Sequence, residues 1–351
     1  MTTANNKQRR FIEGMIAQSG PISLSAYMRL CLLRPDHGYY TTGNPIGQDG
    51  DFITAPEISQ MFGEMIGVWA ATRWQGLGSP NPVDIVEFGP GRGTLMADAW
   101  RVLGKVPGLA DAANLHLLEA SLTLRAQQAD RLAHANPEWI RDLGELPDSG
   151  PPVLMIGNEF LDALPITQYQ KADGAWHERE IGLVDGQFAF GLSPTPMPEA
   201  NLPPAIADAP EGAIWEVNFG ARQLIAEVAD LLKARGGAAL FIDYGYADTQ
   251  TGDTFQAVAG HRFADPFADP GHADLTAHVD FGALGEIARE RGLNYSLTTQ
   301  AQFLADHGIG QRAHDLASKN PEEADTTKTA FTRLTASDQM GELFKVMTLS
   351  A

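Results

Sequence analysis

Val83-Asp84-Ile85-Val86-Glu87-Phe88-Gly89-Pro90-Gly91-Arg92-Gly93-Thr94-Leu95 is the stretch whose reading decides the fold. Val83 to Phe88 is a short apolar run that reads as a strand, and Thr94 to Leu103 carries helical spacing. Between them Gly89, Gly91 and Gly93 form a turn of the kind that holds nucleotides. Missing β-carbons let a backbone approach its ligand, and a helix N-terminus offers free N–H groups. The spacing narrows the ligand. A dinucleotide fingerprint needs Gly-x-Gly-x-x-Gly, whereas here the third glycine comes one residue early and Thr94 stands in its place. No Walker lysine and hydroxyl pair follows.

Outward from this turn the signals alternate. Leu115 to Leu118 reads as a strand and Leu122 to Ala133 as a helix, with further strands at Trp139 to Leu143 and Val153 to Ile156. Ala221 to Arg235 is a helix stopped by Gly236-Gly237, and Ala238 to Ile242 a central strand. A helix at Phe281 to Arg291 and strands at Leu293 to Leu297 and Leu343 to Leu349 complete the tail. Such alternation predicts an α/β, Rossmann-like, mostly parallel sheet with helices on both faces, spanning residues 81–351. Residues 1–80 are expected as a helical lid: Phe11 to Ser19, Leu24 to Leu33 capped by Ser23, a loop from Arg34 to Ile58, and a helix from Ile58 to Trp74. Two insertions are expected, at about 166–219 and 244–280. The first changes to period two, with strands at Ile166 to Lys171, Trp176 to Leu183 and Gln187 to Gly191, an antiparallel β meander followed by a surface loop from Ser193 to Pro210.

The chain has 351 residues, 44% of them hydrophobic, enough for a substantial core without staples. Its single cysteine, Cys31, allows no internal disulfide and no multi-cysteine metal site, and its apolar neighbours read as core. A formal charge of −19 repels phosphates, which disfavours nonspecific binding to nucleic acid or an anionic membrane, and apolar runs such as Ala238 to Ile242 are far too short to span a bilayer, so neither nucleic acid nor membrane insertion is expected; a basic partner suits the charge better. The N-terminus has neither the apolar segment of a signal peptide nor an arginine-rich transit sequence, which points to a cytoplasmic protein.

Carboxylates follow the predicted strands. Glu87 stands at the glycine turn, Glu119 ends the next strand where it can accept both hydroxyls of a ribose, and Asp142 follows the third as a candidate beside an adenine. A sulfonium cofactor fits these residues: S-adenosylmethionine has no pyrophosphate, and its positive sulfur is attracted by negative groups near the turn. Gly89, Gly91 and Gly93 complete the expected cofactor set.

Four longer blocks carry a resemblance. They are Gly50-Asp51-Phe52-Ile53-Thr54-Ala55-Pro56-Glu57 with Gln60 and Phe62-Gly63-Glu64; the glycine turn from Glu87 to Leu95; Asn158-Glu159-Phe160-Leu161-Asp162-Ala163-Leu164-Pro165; and Asp274-Leu275-Thr276-Ala277-His278-Val279-Asp280-Phe281. Through them nearly the whole chain resembles the MidA-like methyltransferases, the family of the mitochondrial complex I assembly factor that methylates an arginine of a core complex I subunit. The resemblance implies a class I methyltransferase core with an added helical lid and inserted strands, and activity on a protein arginine. Bacterial members share the motifs without sharing an implied acceptor, and the missing mitochondrial leader points to a bacterial cytoplasm.

Methyl transfer is an in-line displacement on carbon, so the protein must hold an acceptor nitrogen behind the methyl group. An arginine acceptor is a cation with a pKa above about 12, so carboxylates must orient it and take its proton. Glu159 and Asp162, just past the fourth strand, are the first candidates, followed by Glu57 in the N-terminal loop and Asp243 at the end of the strand Ala239 to Ile242. His272, Asp274, His278 and Asp280 match no metal-ligand spacing, and Asp274-Leu275-Thr276 reads as a structural turn, so no metal is expected. Three readings stay open: a protein-arginine methyltransferase, an assembly chaperone built on a cofactor-binding methyltransferase fold, and a small-molecule methyltransferase.

Overall fold

A computed structural model describes residues 3–42 and 54–351. The glycine-turn strand β1 (Val83–Phe88) sits inside a sheet with β2 (Ala113–Leu118), β3 (Glu138–Ile140), β4 (Val153–Asn158), β5 (Gly237–Tyr246), β6 (Asn294–Thr299) and β7 (Phe344–Ser350). Their spatial order is β6-β7-β5-β4-β1-β2-β3, with the two-residue strand Val279–Asp280 added beside the end of β5. From β5 to β3 every pairing is parallel, and β7 runs antiparallel to both β5 and β6. All six residues of β1 are buried, as expected of a strand covered on both faces.

Alternate residues of β1 serve different cores. Ile85 packs on one face with Phe62, Ile66 and Trp69 of the helix Gln60–Gly76 and Leu95 and Ala99 of the helix Thr94–Leu103. Val86 and Phe88 pack on the other with Ile225 and Leu232 of Phe219–Arg235 and Leu284 of Phe281–Glu290. The chain runs outward from β1 to β3 and then returns to β4 on the opposite side of β1. That reversal opens a crevice beyond the carboxyl ends of β1 and β4, the place where open α/β sheets hold ligands.

A second body covers this crevice. Strands Thr167–Ala172, Ala175–Val184, Gln187–Pro196 and Ile214–Val217 form an antiparallel sheet that also takes in Ile22–Ser23. Tyr27, Met28 and Leu32 of the helix Leu24–Leu33 pack against Ile181, Phe188 and Leu275, so the N-terminal helices and the inserted strands share one core. Ser23 caps that helix as the sequence predicts, accepting the Ala26 N–H at 3.1 Å. A third small sheet joins Gln256–Ala259 to Arg262–Ala264 and Asp274–Thr276.

Several elements differ from expectation. The strand Gln187–Pro196 extends past Gly191, and the expected loop behind it contains short 3-10 turns at Glu199–Asn201 and Pro204–Ile206. Ile214–Val217 pairs with Thr167–Ala172, and Asp274–Thr276 is a strand rather than a turn. The expected loop from Arg34 to Ile58 holds short helices at Tyr39–Thr42 and Ala55–Ile58, while its Gly50 to Ile53 block lies outside the described residues. Helices Gln300–Asp306, Ile309–Lys319 and Ala324–Thr335 occupy a region to which the sequence reading assigned no element. No helix among the described residues is long and apolar enough to cross a membrane.

Candidate active site

Beyond the carboxyl ends of β1, β2 and β4 lies a cavity of about 280 Å³, and beside it, against the glycine turn, a narrow one of about 50 Å³. Gly89 and Gly91 line both, with φ of +57° and +54° that side chains rarely adopt. A β-carbon at Gly89 would meet the Phe160 ring at 2.8 Å, so the bare backbone is also a packing requirement. Gly93 lines neither cavity; it N-caps the helix Thr94–Leu103 and faces Leu132 and Gln128.

Glu87 sits beneath the turn at 3% exposure, and its Oε2 has no hydrogen-bond partner in the structure. Burial, aided by the nearby charge of Glu119, pushes its carboxyl up to about 8. Such a group is costly until a cation or a donor reaches it. Glu119 accepts the Ser121 N–H at 2.7 Å on one oxygen and Gln128 Nε2 at 3.2 Å on the other, while burial raises its pKa. Gln128 Nε2 also donates to the Gly91 carbonyl at 2.7 Å, tying the glycine turn to Glu119. Asp142 does not reach either cavity. It is exposed at a turn, and its carboxylate accepts the Gly144 N–H at 2.9 Å.

The turn after β4 carries the other candidates. Glu159 adopts φ +49°, a conformation that costs roughly 1–3 kcal/mol for a residue with a side chain and persists only where neighbours enforce it. Asp243, with no exposed surface, enforces it: Oδ2 accepts the N–H groups of Phe160, Leu161 and Asp162 at 3.2, 2.9 and 3.1 Å, and Oδ1 that of Tyr244 at 3.0 Å. This corrects the catalytic reading of Asp243. Its oxygens are occupied by backbone amides and it does not line the cavity, so it positions the turn.

Glu159 and Asp162 do line it. Glu159 Oε1 accepts the Ala55 N–H at 3.1 Å and Asn158 Nδ2 at 3.0 Å; burial nevertheless pushes its carboxyl up to about 7. Asp162 is raised by burial to about 6, opposed by the Tyr244 hydroxyl, and its Oδ1 lacks a hydrogen-bond partner. Glu57 borders only the narrow cavity, where it accepts the Thr94 hydroxyl at 2.6 Å and faces Arg92 at 3.7 Å. It fastens the segment Ala55–Ile58 over the glycine turn rather than reaching the acceptor side.

Three residues of the larger cavity that the sequence reading did not select are Tyr40, Tyr244 and Asp274. Gln128 is a fourth omission, outside the lining but holding it. Its sequence signal was a polar residue four positions after Leu124, on the buried face of its helix. No group of three or more His, Cys, Asp or Glu able to hold a metal occurs among the described residues.

Residues 65–299 match a family described as "Putative S-adenosyl-L-methionine-dependent methyltransferase". The chain belongs to this family. It is 34% identical over 369 residues to the "Protein arginine methyltransferase NDUFAF7 homolog, mitochondrial" of Drosophila melanogaster, covering 96% of this chain and 83% of that protein. The human protein arginine methyltransferase NDUFAF7 is 34% identical over 364 residues, with 95% and 81% covered. A Burkholderia thailandensis protein crystallised with bound S-adenosyl-homocysteine superposes with a TM-score of 0.87 at 30% identity, covering 99% of this chain and 92% of that one. The chain is thus an S-adenosylmethionine-dependent methyltransferase with a class I, Rossmann-like fold. The residues present fit that cofactor: a bare glycine turn, the two-oxygen acceptor Glu119 and the unsatisfied oxygen of Glu87 face the crevice side of the sheet.

Proposed function

We propose that this methyltransferase acts on an arginine side chain of a protein client in a bacterial cytoplasm. The observation that carries the reading is the composition of the larger cavity. Glu119, Glu159, Asp162 and Asp274 line it, and no Lys, Arg or His does so among the described residues. A lining of desolvated carboxylates favours a cationic occupant. The names of the Drosophila and human relatives support arginine as that cation.

S-adenosylmethionine, when bound, supplies a methyl group on a positive sulfur. The glycine turn, Glu87 and Glu119 would hold it, leaving Glu159 and Asp162 for the acceptor. A guanidinium nitrogen must shed a proton as its bond to carbon forms, and Glu159, raised to about 7, is matched to accept it near neutral pH. Asp243 keeps the Glu159 turn in register for that transfer. The family resemblance makes the core complex I subunit the first client to test.

Co-expression of that subunit with the wild-type protein or Glu159→Gln, followed by mass-spectrometric counting of methylarginine, tests the proposal. The expected result is methylarginine with wild type and loss of about 10²-fold or more with Glu159→Gln, cofactor affinity being retained. Full methylation by Glu159→Gln would remove this residue from the chemistry. Label from S-adenosylmethionine appearing only on small molecules in a lysate would overturn the protein acceptor.

A further inference from the structure

We propose that Asp274, oriented by the Tyr40 hydroxyl, is a second acceptor-binding carboxylate that works with Asp162 and selects a guanidinium over an ammonium group. The proposal rests on the arginine reading above and adds to it a residue from outside the central sheet. Tyr40 Oη donates to Asp274 Oδ1 at 2.8 Å, and both residues line the 280 Å³ cavity together with Asp162 and Tyr244. Asp274 is only 7% exposed. Burial, then the charges of Asp274 and Asp162, push the Tyr40 pKa well above its usual range, so this hydroxyl remains a donor at every physiological pH.

Three distant segments build this wall. Gly271, at φ +88°, lies so close to the chain before Tyr40 that an added β-carbon would sit 2.5 Å from the His37 carbonyl oxygen. That close approach sets the Tyr40 segment against the strand Asp274–Thr276. The Ala277 N–H then donates to the Asp162 carbonyl at 3.1 Å, docking the same segment on the turn that bears Asp162. Two carboxylates from segments far apart in sequence, docked on each other, therefore open into one cavity, whose remaining wall includes Leu33, Phe160, Leu164 and Pro165.

The chemistry of two such carboxylates discriminates between cations. A guanidinium carries five N–H donors in one plane and can be held along more than one edge, while its flat faces tolerate apolar neighbours. An ammonium is a compact, strongly hydrated charge that gains less from two fixed acceptors and loses more on entering an apolar cavity. Tyr40 is a positioning residue in this arrangement, since it acts through the orientation of Asp274.

The test uses the full-length protein saturated with S-adenosylhomocysteine and titrated with ethylguanidinium or ethylammonium, read by ligand-observed NMR. Wild type is expected to prefer ethylguanidinium by about tenfold or more. Asp274→Asn should lose about tenfold in ethylguanidinium affinity with S-adenosylhomocysteine affinity held within about twofold, and Tyr40→Phe should lose about threefold while keeping its ring packing. Tyr40→Phe carries the test alone if Asp274→Asn does not fold. Wild-type ethylguanidinium affinity in the folded variants would overturn the role of Asp274 and leave the arginine reading standing. Equal loss of both ligands would mark the pair as structural and also overturn it. A wild-type protein that binds neither cation, or prefers ethylammonium, would overturn both.

Discussion

Gln128 has no exposed surface and joins three parts of the molecule beside the cavity: it donates to the Gly91 carbonyl and to Glu119, and its Oε1 accepts Trp139 Nε1–H at 2.8 Å. Gln128→Leu keeps the approximate volume but strands those groups, at a cost of roughly 1–3 kcal/mol for each buried partner left unsatisfied. Titration of S-adenosylhomocysteine into this variant should show affinity reduced by about tenfold or more, and unchanged affinity would show that the glycine turn needs no such brace. Gly91→Val should abolish cofactor binding while far-ultraviolet circular dichroism stays native, because the branched side chain enters the cavity. The places of Gly89, Gly91 and Glu119 at the cavity walls were legible in the sequence because strand, turn and helix set them by local rules alone. Tyr40 and Asp274 were not, since each acquires its meaning from a partner more than two hundred positions away. Asp142 follows a strand end as Glu119 does, and Asp243 lies inside a strand that runs on to Tyr246, past the end expected at Ile242; yet one serves Gly144 and the other four amides. Sequence position locates a strand end without giving the direction of its carboxylate.

Elements were legible in proportion to how much they bury. The strand Val83–Phe88 and the helices Thr94–Leu103 and Leu24–Leu33 have the predicted bounds, because their apolar runs, caps and glycine turns agree. The helices Gln300–Asp306, Ile309–Lys319 and Ala324–Thr335 were passed over although Ile309, Ala313 and Leu316, and Ala330, Phe331 and Leu334, recur at helical spacing and pack against the core; their fully buried apolar side chains are few, chiefly Phe303, Leu304, Ile309 and Leu334. They are fixed partly by charge. Glu64, 5% exposed on the helix Gln60–Gly76, takes both Nε and Nη2 of Arg312 at 2.6 and 2.7 Å, with Arg101 at 3.7 Å as a second cation. Arg312→Met would leave the buried Glu64 to Arg101 alone and should destabilise the protein by roughly 3 kcal/mol, at the low end for a broken buried pair. Replacing Glu64 by Met as well should recover most of that loss, because the uncompensated charge is gone. Urea unfolding of the single and double variants measures both effects; a double variant no more stable than Arg312→Met would assign the interaction to packing instead.

At the scale of the molecule, a chain of net charge −19 concentrates several carboxylates around one crevice, and among the described residues no cationic side chain lines the larger cavity. Burial first, and neighbouring carboxylates second, raise Glu87 from 4.5 to about 8; burial raises Glu159 from 4.5 to about 7 and Asp162 from 3.8 to about 6. A carboxyl whose folded pKa is raised binds its proton more tightly in the folded state, so its contribution is full below the unfolded value and is lost as pH rises through the folded value. The ligand-free protein should therefore lose thermal stability progressively between about pH 4.5 and pH 8. Cation binding works in the opposite sense: S-adenosylmethionine favours the ionised carboxylates, releases protons on binding and should bind more tightly as pH rises through the same window. Surface repulsion in so acidic a protein also lowers stability with rising pH, but salt screens it, the Debye length being about 3 Å at 1 M, while the buried groups are screened far less. The measurement is thus the melting temperature against pH at about 1 M salt, with and without S-adenosylmethionine, for wild type and Glu87→Gln. Removing the titrating group with the highest of these three values should reduce the ligand-free slope throughout the window from about pH 4.5 to pH 8 and flatten it most above about pH 7, where Glu159 and Asp162 no longer contribute. A wild-type melting temperature independent of pH in high salt, or a Glu87→Gln curve parallel to wild type up to pH 8, would show that the cluster is not held protonated and that the crevice does not depend on a cation to become ionised.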